Sequence, residues 1–112
     1  MSPIEQMQLA ARAAMLLVEI DDEGCFMHRG MEWMPLTDDG DAFRLAVRLK
    51  LHINIFAASD EEGISTPGFV EVWAPGHSDD PLRTEYVEAG DYLAAARRAI
   101  VRASAELGRT LQ

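Results

Sequence analysis

Apolar residues near the N-terminus recur at intervals of three and four, which is the spacing of one face of an α-helix. This stripe consists of Ile4, Met7, Ala11 and Ala14. Ser2 suits the N-cap position and Pro3 suits the first helical position. The sequence therefore predicts a helix over residues 3–14, and nothing in it forbids the helix from continuing to Val18.

The pattern then changes to one typical of β-strands. β-Branched and aliphatic residues dominate positions 15–20, DDEG at 21–24 has turn chemistry, and CFMHR covers 25–29. These features predict a β-hairpin with strands at 15–20 and 25–29. Residues 31–36 are expected to extend the sheet irregularly, because Pro35 cannot donate a backbone hydrogen bond.

Two further runs alternate between apolar and polar residues, as strands with one face on a core do. LHINIFAA occupies 51–58 and FVEVWA occupies 69–74, and we expect the two to pair as an antiparallel hairpin. SDEEGISTPG between them has the composition of a loop. The composition of residues 75–90 predicts a long connection, and long loops are often functional or mobile.

The stretch DDGD at 38–41 has two interpretations, a metal site or the start of a helix. Asp38 and Asp41 have the spacing of an N-cap residue and an N3 residue. A calcium loop needs acidic ligands at alternate positions and a glutamate at its twelfth position, and these aspartates lack that spacing. We therefore predict a capped helix over 39–50. Its helical face consists of Phe43, Ala46, Val47 and Lys50.

The last helix is predicted over 91–108, with Gly108 as its C-terminal stop. Its apolar stripe consists of Leu93, Ala96, Ile100, Ala103 and Leu107. Its basic residues are Arg97, Arg98, Arg102 and Arg109. They have two interpretations: contact with an anion or partner, or complementing the helix dipole while Arg102 pairs with Glu106.

Together these elements predict a single α+β domain over residues 1–112. We expect a small antiparallel sheet of about four strands, made of two hairpins, packed against the two main helices, plus the short N-terminal helix. A chain of 112 residues with 48% apolar residues can bury one core. No run approaches the roughly 18 apolar residues that span a bilayer, and no signal peptide is recognisable, so we expect a cytoplasmic protein without membrane contact.

Catalytic signatures are lacking, and we predict no catalytic, cofactor-binding or metal-binding residue. The histidines are scattered, and no phosphate-binding glycine loop or nucleophile motif occurs. Cys25 is the single cysteine and is predicted to be a packing residue. Trp33 and Trp73 are candidates for binding residues, although we expect core packing for at least one of them.

The formal net charge of −9 argues against direct binding of nucleic acid, which requires basic residues. Most carboxylates fall in predicted turns and helix starts, where local hydrogen bonding explains them. The alternative is an acidic surface that steers a basic partner. The candidate partner-binding residues are Asp60, Glu61, Glu62, Trp73, Asp79 and Asp80.

Two segments carry a resemblance: HRGMEWMPLTDDGDAFRLAVRLKLHINIF and DYLAAARRAIVRASAELGR. They resemble a group of small bacteriophage and prophage proteins of unknown function, distantly similar to NinX-like phage proteins. The similarity covers roughly residues 20–58 and 91–109. It implies a phage or prophage origin and an α+β fold, and it transfers no catalytic residue.

The expected function is that of a small phage-encoded accessory protein without enzymatic activity. It would bind and mask a host protein complex that has a basic surface, for example a defence system such as CRISPR–Cas, and it could itself form a homodimer. Two alternatives are a small-ligand or nucleotide-sensing domain that uses the C-terminal arginines, and a structural homo-oligomeric phage component.

Overall fold

The computed structural model describes residues 1–76 and 79–111. Its helices are α1 (Pro3–Ala13), α2 (Asp39–Arg48) and α3 (Tyr92–Arg109). Its strands are β1 (Glu19–Ile20), β2 (Phe26–His28), β3 (Met31–Glu32), β4 (His52–Phe56), β5 (Ser59–Glu61), β6 (Ile64–Thr66), β7 (Phe69–Trp73) and β8 (Arg83–Tyr86). The α+β class expected from the sequence is therefore confirmed.

Each helix begins at a side chain that accepts a hydrogen bond from a backbone N–H of the first turn. Ser2 Oγ accepts from the Glu5 amide, Asp38 accepts from the Asp41 amide at 2.8 Å, and Asp91 accepts at 3.0 Å from the amide three residues on. These contacts satisfy amides that have no partner within the helix. The three predicted helix starts are confirmed, and Asp38 acts as the cap.

The strands form three separate antiparallel sheets, with the orders β1-β2-β3, β4-β7-β8 and β5-β6. The two predicted hairpins exist, but the prediction that they join into one sheet of about four strands was wrong. The first strand of the N-terminal hairpin is also shorter than predicted, because residues 15–18 are irregular and β1 begins at Glu19.

Two segments predicted as connections contain strands instead. Residues 59–66 fold into the β5–β6 hairpin, whose turn residues Glu62 and Gly63 have φ of 53° and 76°. Positive φ at both central positions is the geometry of the turn that best matches strand twist. In the predicted 75–90 connection, β8 pairs with β7, while residues 77 and 78 lie outside the described residues.

The core lies where α3 packs on the β4-β7-β8 sheet and α1 packs on α3. Val70 and Val72 of β7 are fully buried beneath α3. Gly108 is a residue of α3 rather than its stop, and a Cβ there would overlap the backbone carbonyl of Leu9 in α1. The glycine therefore allows the two helices to approach closely. Leu93, predicted on the apolar stripe, is 61% exposed.

Helix α2 buries a face that shares only Ala46 with the predicted one. Its buried residues are Ala42, Leu45 and Ala46, whereas Phe43 and Val47 are 66% and 59% exposed. Trp33 is 5% exposed and belongs to the core, which confirms that at least one tryptophan is a packing residue. The rotation of α2 leaves two large apolar side chains on the surface.

Candidate functional site

The β4-β7-β8 sheet has one face covered by α3, and no described helix packs on the other. We call this other side the open face. Alternation along the strands assigns its residues, because successive side chains point to opposite sides. The open face carries His52, Asn54, Phe56, Phe69, Glu71, Trp73, Thr84 and Tyr86.

An aromatic row crosses the open face where the register places three rings side by side. Phe56 is opposite Phe69, which in turn is opposite Tyr86. The rings of Phe56 and Phe69 stack with centroids 4.5 Å apart, and the ring of Tyr86 is tilted at 6.1 Å from Phe69. Tyr86 is 61% exposed and Phe56 is 41% exposed. The row therefore presents aromatic surface of the kind that dominates binding interfaces.

The β5–β6 hairpin, residues 59–66, follows directly after the aromatic row, and we call it the acidic arm. All of its residues are exposed. Its base is held where the amide of Ala58 donates to the Tyr92 hydroxyl at 3.0 Å. Asp60, Glu61 and Glu62 form no ion pair with any residue that the structure describes. Their charge is therefore directed to solvent.

The structure divides the six predicted partner-binding residues into two groups. Trp73 is opposite His52, at the end of the β4–β7 ladder that is remote from Phe56 and the acidic arm. Four strand steps of about 3.4 Å separate the two ends by roughly 14 Å. Asp79 and Asp80 are exposed and precede β8, whose first residue lies near the Trp73 end. The three acids of the arm thus follow the end of the ladder opposite to Trp73.

Trp73 is half-buried, and its indole Nε1 donates to Glu71 Oε1 at 3.4 Å. It also lines a shallow pocket with Lys50, His52 and Asn54. The aromatic residues that do lie beside the arm were not among the predicted ones. The pairing of Phe56 with Phe69 could have been found from the predicted hairpin register, but Tyr86 belongs to a strand predicted as a loop.

The arginines of α3 are engaged within the fold. Glu85 of β8 is buried, and its carboxylate forms ion pairs with three arginines. The nitrogen–oxygen distances are 2.9 Å to Arg83, 2.5 Å to Arg102 and 3.5 Å to Arg98. The prediction that Arg102 pairs with Glu106 was wrong, because Glu106 forms its ion pair with Arg109. Arg97 binds Asp39 and the carbonyl oxygen of residue 36. These contacts give the arginines a structural role and weaken the ligand-sensing alternative.

Burial favours the neutral form of Glu85, yet the pKa of this carboxyl is lowered. The hydrogen bonds from Arg83 and Arg102 and the positive charges of both side chains outweigh the effect of burial. Glu85 therefore remains ionised at neutral pH and anchors β8 to α3.

The surroundings of Cys25 disfavour the thiolate form that a nucleophile requires. The negative charge of Asp21, partial burial and the acids at 23 and 32 all raise the pKa of its thiol. A thiol with a raised pKa carries little thiolate at neutral pH. The raised pKa disfavours a nucleophilic role for Cys25, whose side chain is half-buried.

Within the described residues, no set of three or more His, Cys, Asp or Glu side chains is arranged to hold a metal ion. None of the helices of residues 1–76 and 79–111 has both the length and the hydropathy to cross a membrane. Comparisons with models of protein families, with curated proteins and with solved structures gave no match.

Proposed function

We propose that this chain is a small accessory protein of phage or prophage origin that binds and masks a host protein complex without enzymatic activity. The observation that supports this best is the uncovered aromatic row beside the acidic arm. The arm begins three residues after Phe56 of the row, so apolar contact area and uncompensated charge follow each other closely along the chain. The proposed partner has a complementary basic surface.

The two parts of this surface have different physical roles. The carboxylates of Asp60, Glu61 and Glu62 are solvated, so they accelerate encounter with a basic partner more than they hold it. The rings of Phe56, Phe69 and Tyr86 lose water on contact and supply the affinity that resists dissociation. Binding is therefore expected to begin with steering by charge and to end with burial of the aromatic row.

Masking follows because this protein would occupy the basic surface of its partner. A host complex that uses this surface for an acidic ligand cannot bind the ligand and the acidic arm at the same site. Interference with a defence system such as CRISPR–Cas is one form that such masking would take. Trp73, Asp79 and Asp80 lie at the remote end of the open face, so their contribution is separable from that of the arm.

Affinity capture of the tagged protein from a nuclease-treated lysate of a bacterial host tests this proposal. We expect one host complex at near-equal stoichiometry, lost at about 1 M salt, where charges are screened beyond about 3 Å. Reversal of charge in the arm with Asp60→Lys and Glu61→Lys should abolish capture. The matched control is Asp22→Lys with Glu23→Lys, which changes the net charge equally in an exposed turn away from the open face.

Capture of the same complex by the arm variant at the level of the wild type would contradict the role of the arm. Recovery of the tagged protein alone would contradict the proposal of a host partner. A second pair of substitutions, Asp79→Lys with Asp80→Lys, measures whether the remote acids add to the steering.

A further inference from the structure

A groove lies on a different part of the molecule, between α2, strand β2 and the irregular segment that joins α1 to β1. Its volume is about 1000 Å³. Trp33 and Leu45 form its buried floor, and Met15, Leu17, Phe43 and Val47 line its walls. The groove plays no part in the proposed function.

The walls of the groove are unusually exposed for apolar side chains. Leu17 is 88% exposed and Met15 is 83% exposed, and the outward-facing Phe43 and Val47 of α2 complete an apolar surface around the floor. Contiguous apolar surface of this kind marks sites of association. Side chains that project so far enclose a small molecule poorly, and they favour a macromolecular occupant.

The charge on the rim of the groove differs in sign from that of the whole protein. Three arginines, Arg29, Arg44 and Arg48, line it together with one carboxylate, Glu19, so the rim is basic on balance, and no described carboxylate lies within ion-pair distance of Arg29 or Arg48. Arg48 donates through Nε to the Ala14 carbonyl, which leaves its charge uncompensated. Arg44 is bound to Asp41 at 2.7 Å and contributes less.

This charge decides which occupant fits. Two grooves placed against each other would bring arginines together, which is unfavourable. The occupant must instead combine apolar and acidic side chains. The acidic arm has this combination, because Glu61 is opposite Ile64 in the β5–β6 register and Ile64 is 68% exposed.

We propose that the acidic arm of a second copy of this chain docks in the groove, and that the contact is reciprocal. Ile64 enters the apolar groove while Glu61 and its acidic neighbours meet Arg29 and Arg48. Because each chain carries both an arm and a groove, two identical contacts close a two-fold dimer. The arm is shared with the proposed host contact, so the dimer and the host complex exclude each other, but the dimer is measured on the protein alone.

Sedimentation equilibrium from micromolar to millimolar protein provides the first test. The mass should rise with concentration from the 12.4 kDa of the monomer towards twice that value. About 1 M salt should weaken the dimer by at least about tenfold, since it screens the charge pairs. A monomer at every concentration would overturn the proposal.

Charge-reversal variants test which surfaces meet. An arm variant, Asp60→Lys with Glu61→Lys, and a groove variant, Arg29→Glu with Arg48→Glu, should each dimerise at least about tenfold more weakly. Mixing the two should restore the dimer, because both contacts of the mixed pair then have opposite charges. The matched control, Asp79→Lys with Asp80→Lys, changes the net charge like the arm variant and should dimerise like the wild type.

Three results would overturn the reciprocal contact: a dimer unaffected by either reversal, two disrupted variants that fail to restore a dimer when mixed, or equal disruption by the control. Since Arg48 contacts the backbone of Ala14, its variant could unfold, and circular dichroism checks this. Leu17→Glu provides an alternative groove variant, because a side chain that is 88% exposed contributes little to stability. It should also weaken the dimer, and an unchanged dimer would contradict the proposal.

Discussion

Replacement of Gly108 by alanine tests the closest contact of the core. In an ordinary helix this substitution stabilises a protein by roughly 0.5–1 kcal/mol, because glycine loses more backbone entropy on folding. Here the new methyl group would overlap the carbonyl oxygen of Leu9, which belongs to the backbone of α1. The helices must therefore move apart, and the usual gain is reversed.

The magnitude follows from comparing the two effects. Insertion of a methylene-sized group into a packed contact costs about 1–3 kcal/mol, and the obstacle here is backbone that cannot rotate away. After subtraction of the helix-propensity gain, we expect Gly108→Ala to lower the free energy of unfolding by about 1–2 kcal/mol. For a domain of this size that corresponds to a fall in Tm of roughly 4–8 °C.

Urea and thermal denaturation followed by circular dichroism measure this change, and Gly40→Ala is the matched control. Gly40 also lies inside a helix, and its added methyl would meet the end of Arg44 at 3.2–3.3 Å and the capping oxygen Asp38 Oδ2 at 3.3 Å, with no backbone in the way. The Arg44 side chain can yield and the Asp38 side chain needs to shift only slightly, so we expect the control to stay within about 0.5 kcal/mol of the wild type. A Gly108→Ala variant as stable as the wild type would refute the close packing of α1 on α3.

Two further predictions concern titratable groups. Glu85→Gln should lower the free energy of unfolding at pH 7 by roughly 1–3 kcal/mol, because the arginines around it lose a charged acceptor. The folded pKa of Glu85 is lowered, so its contribution is present above its usual value of 4.5 and disappears as the pH falls below that. The variant and the wild type should therefore converge in acid unfolding curves, and a difference that persists at low pH would contradict this cause. Cys25 should react with a thiol reagent several-fold more slowly than a free cysteine peptide at mildly alkaline pH, since its pKa is raised, and an equal rate would argue against the effect of Asp21.

The helix starts could be predicted because capping is a local property. Ser2, Asp38 and Asp91 each precede a helix and bond to an amide within three residues, so the signal is contained in a few positions. The β4–β7 hairpin was also predictable, because alternation over five residues specifies both its strands and their facing sides.

The acidic arm and β8 could not be predicted from pattern alone. The arm turns at Glu62-Gly63, and glutamate is uncommon at a position with positive φ. The residues of the turn therefore gave only a weak signal for a hairpin. Strand β8 buries Glu85, and this burial depends on arginines of α3 that are distant in sequence. The buried face of α2 was equally hard to predict. Leu45 and Phe43 each lie on an apolar stripe of the helix, and only tertiary packing decides which of them is buried.

The candidate site was predictable only in part. The acids of the arm were selected from their charge, and the structure leaves them exposed. Their association with Trp73 assumed proximity, whereas the register places Trp73 at the opposite end of β7 from Phe69. The aromatic row could not be predicted in full, because Tyr86 joins it only through the pairing of β8 with β7.

Parallel capture by wild type and a Tyr86→Ala variant tests whether the aromatic row binds the host complex, with Ile4→Ala as the control. Tyr86 and Ile4 are 61% and 57% exposed, so neither substitution should unfold the protein, and net charge is unchanged in both. We expect Tyr86→Ala to lose most of the host complex while Ile4→Ala retains it. Equal recovery by all three proteins would show that the aromatic row is not the binding surface.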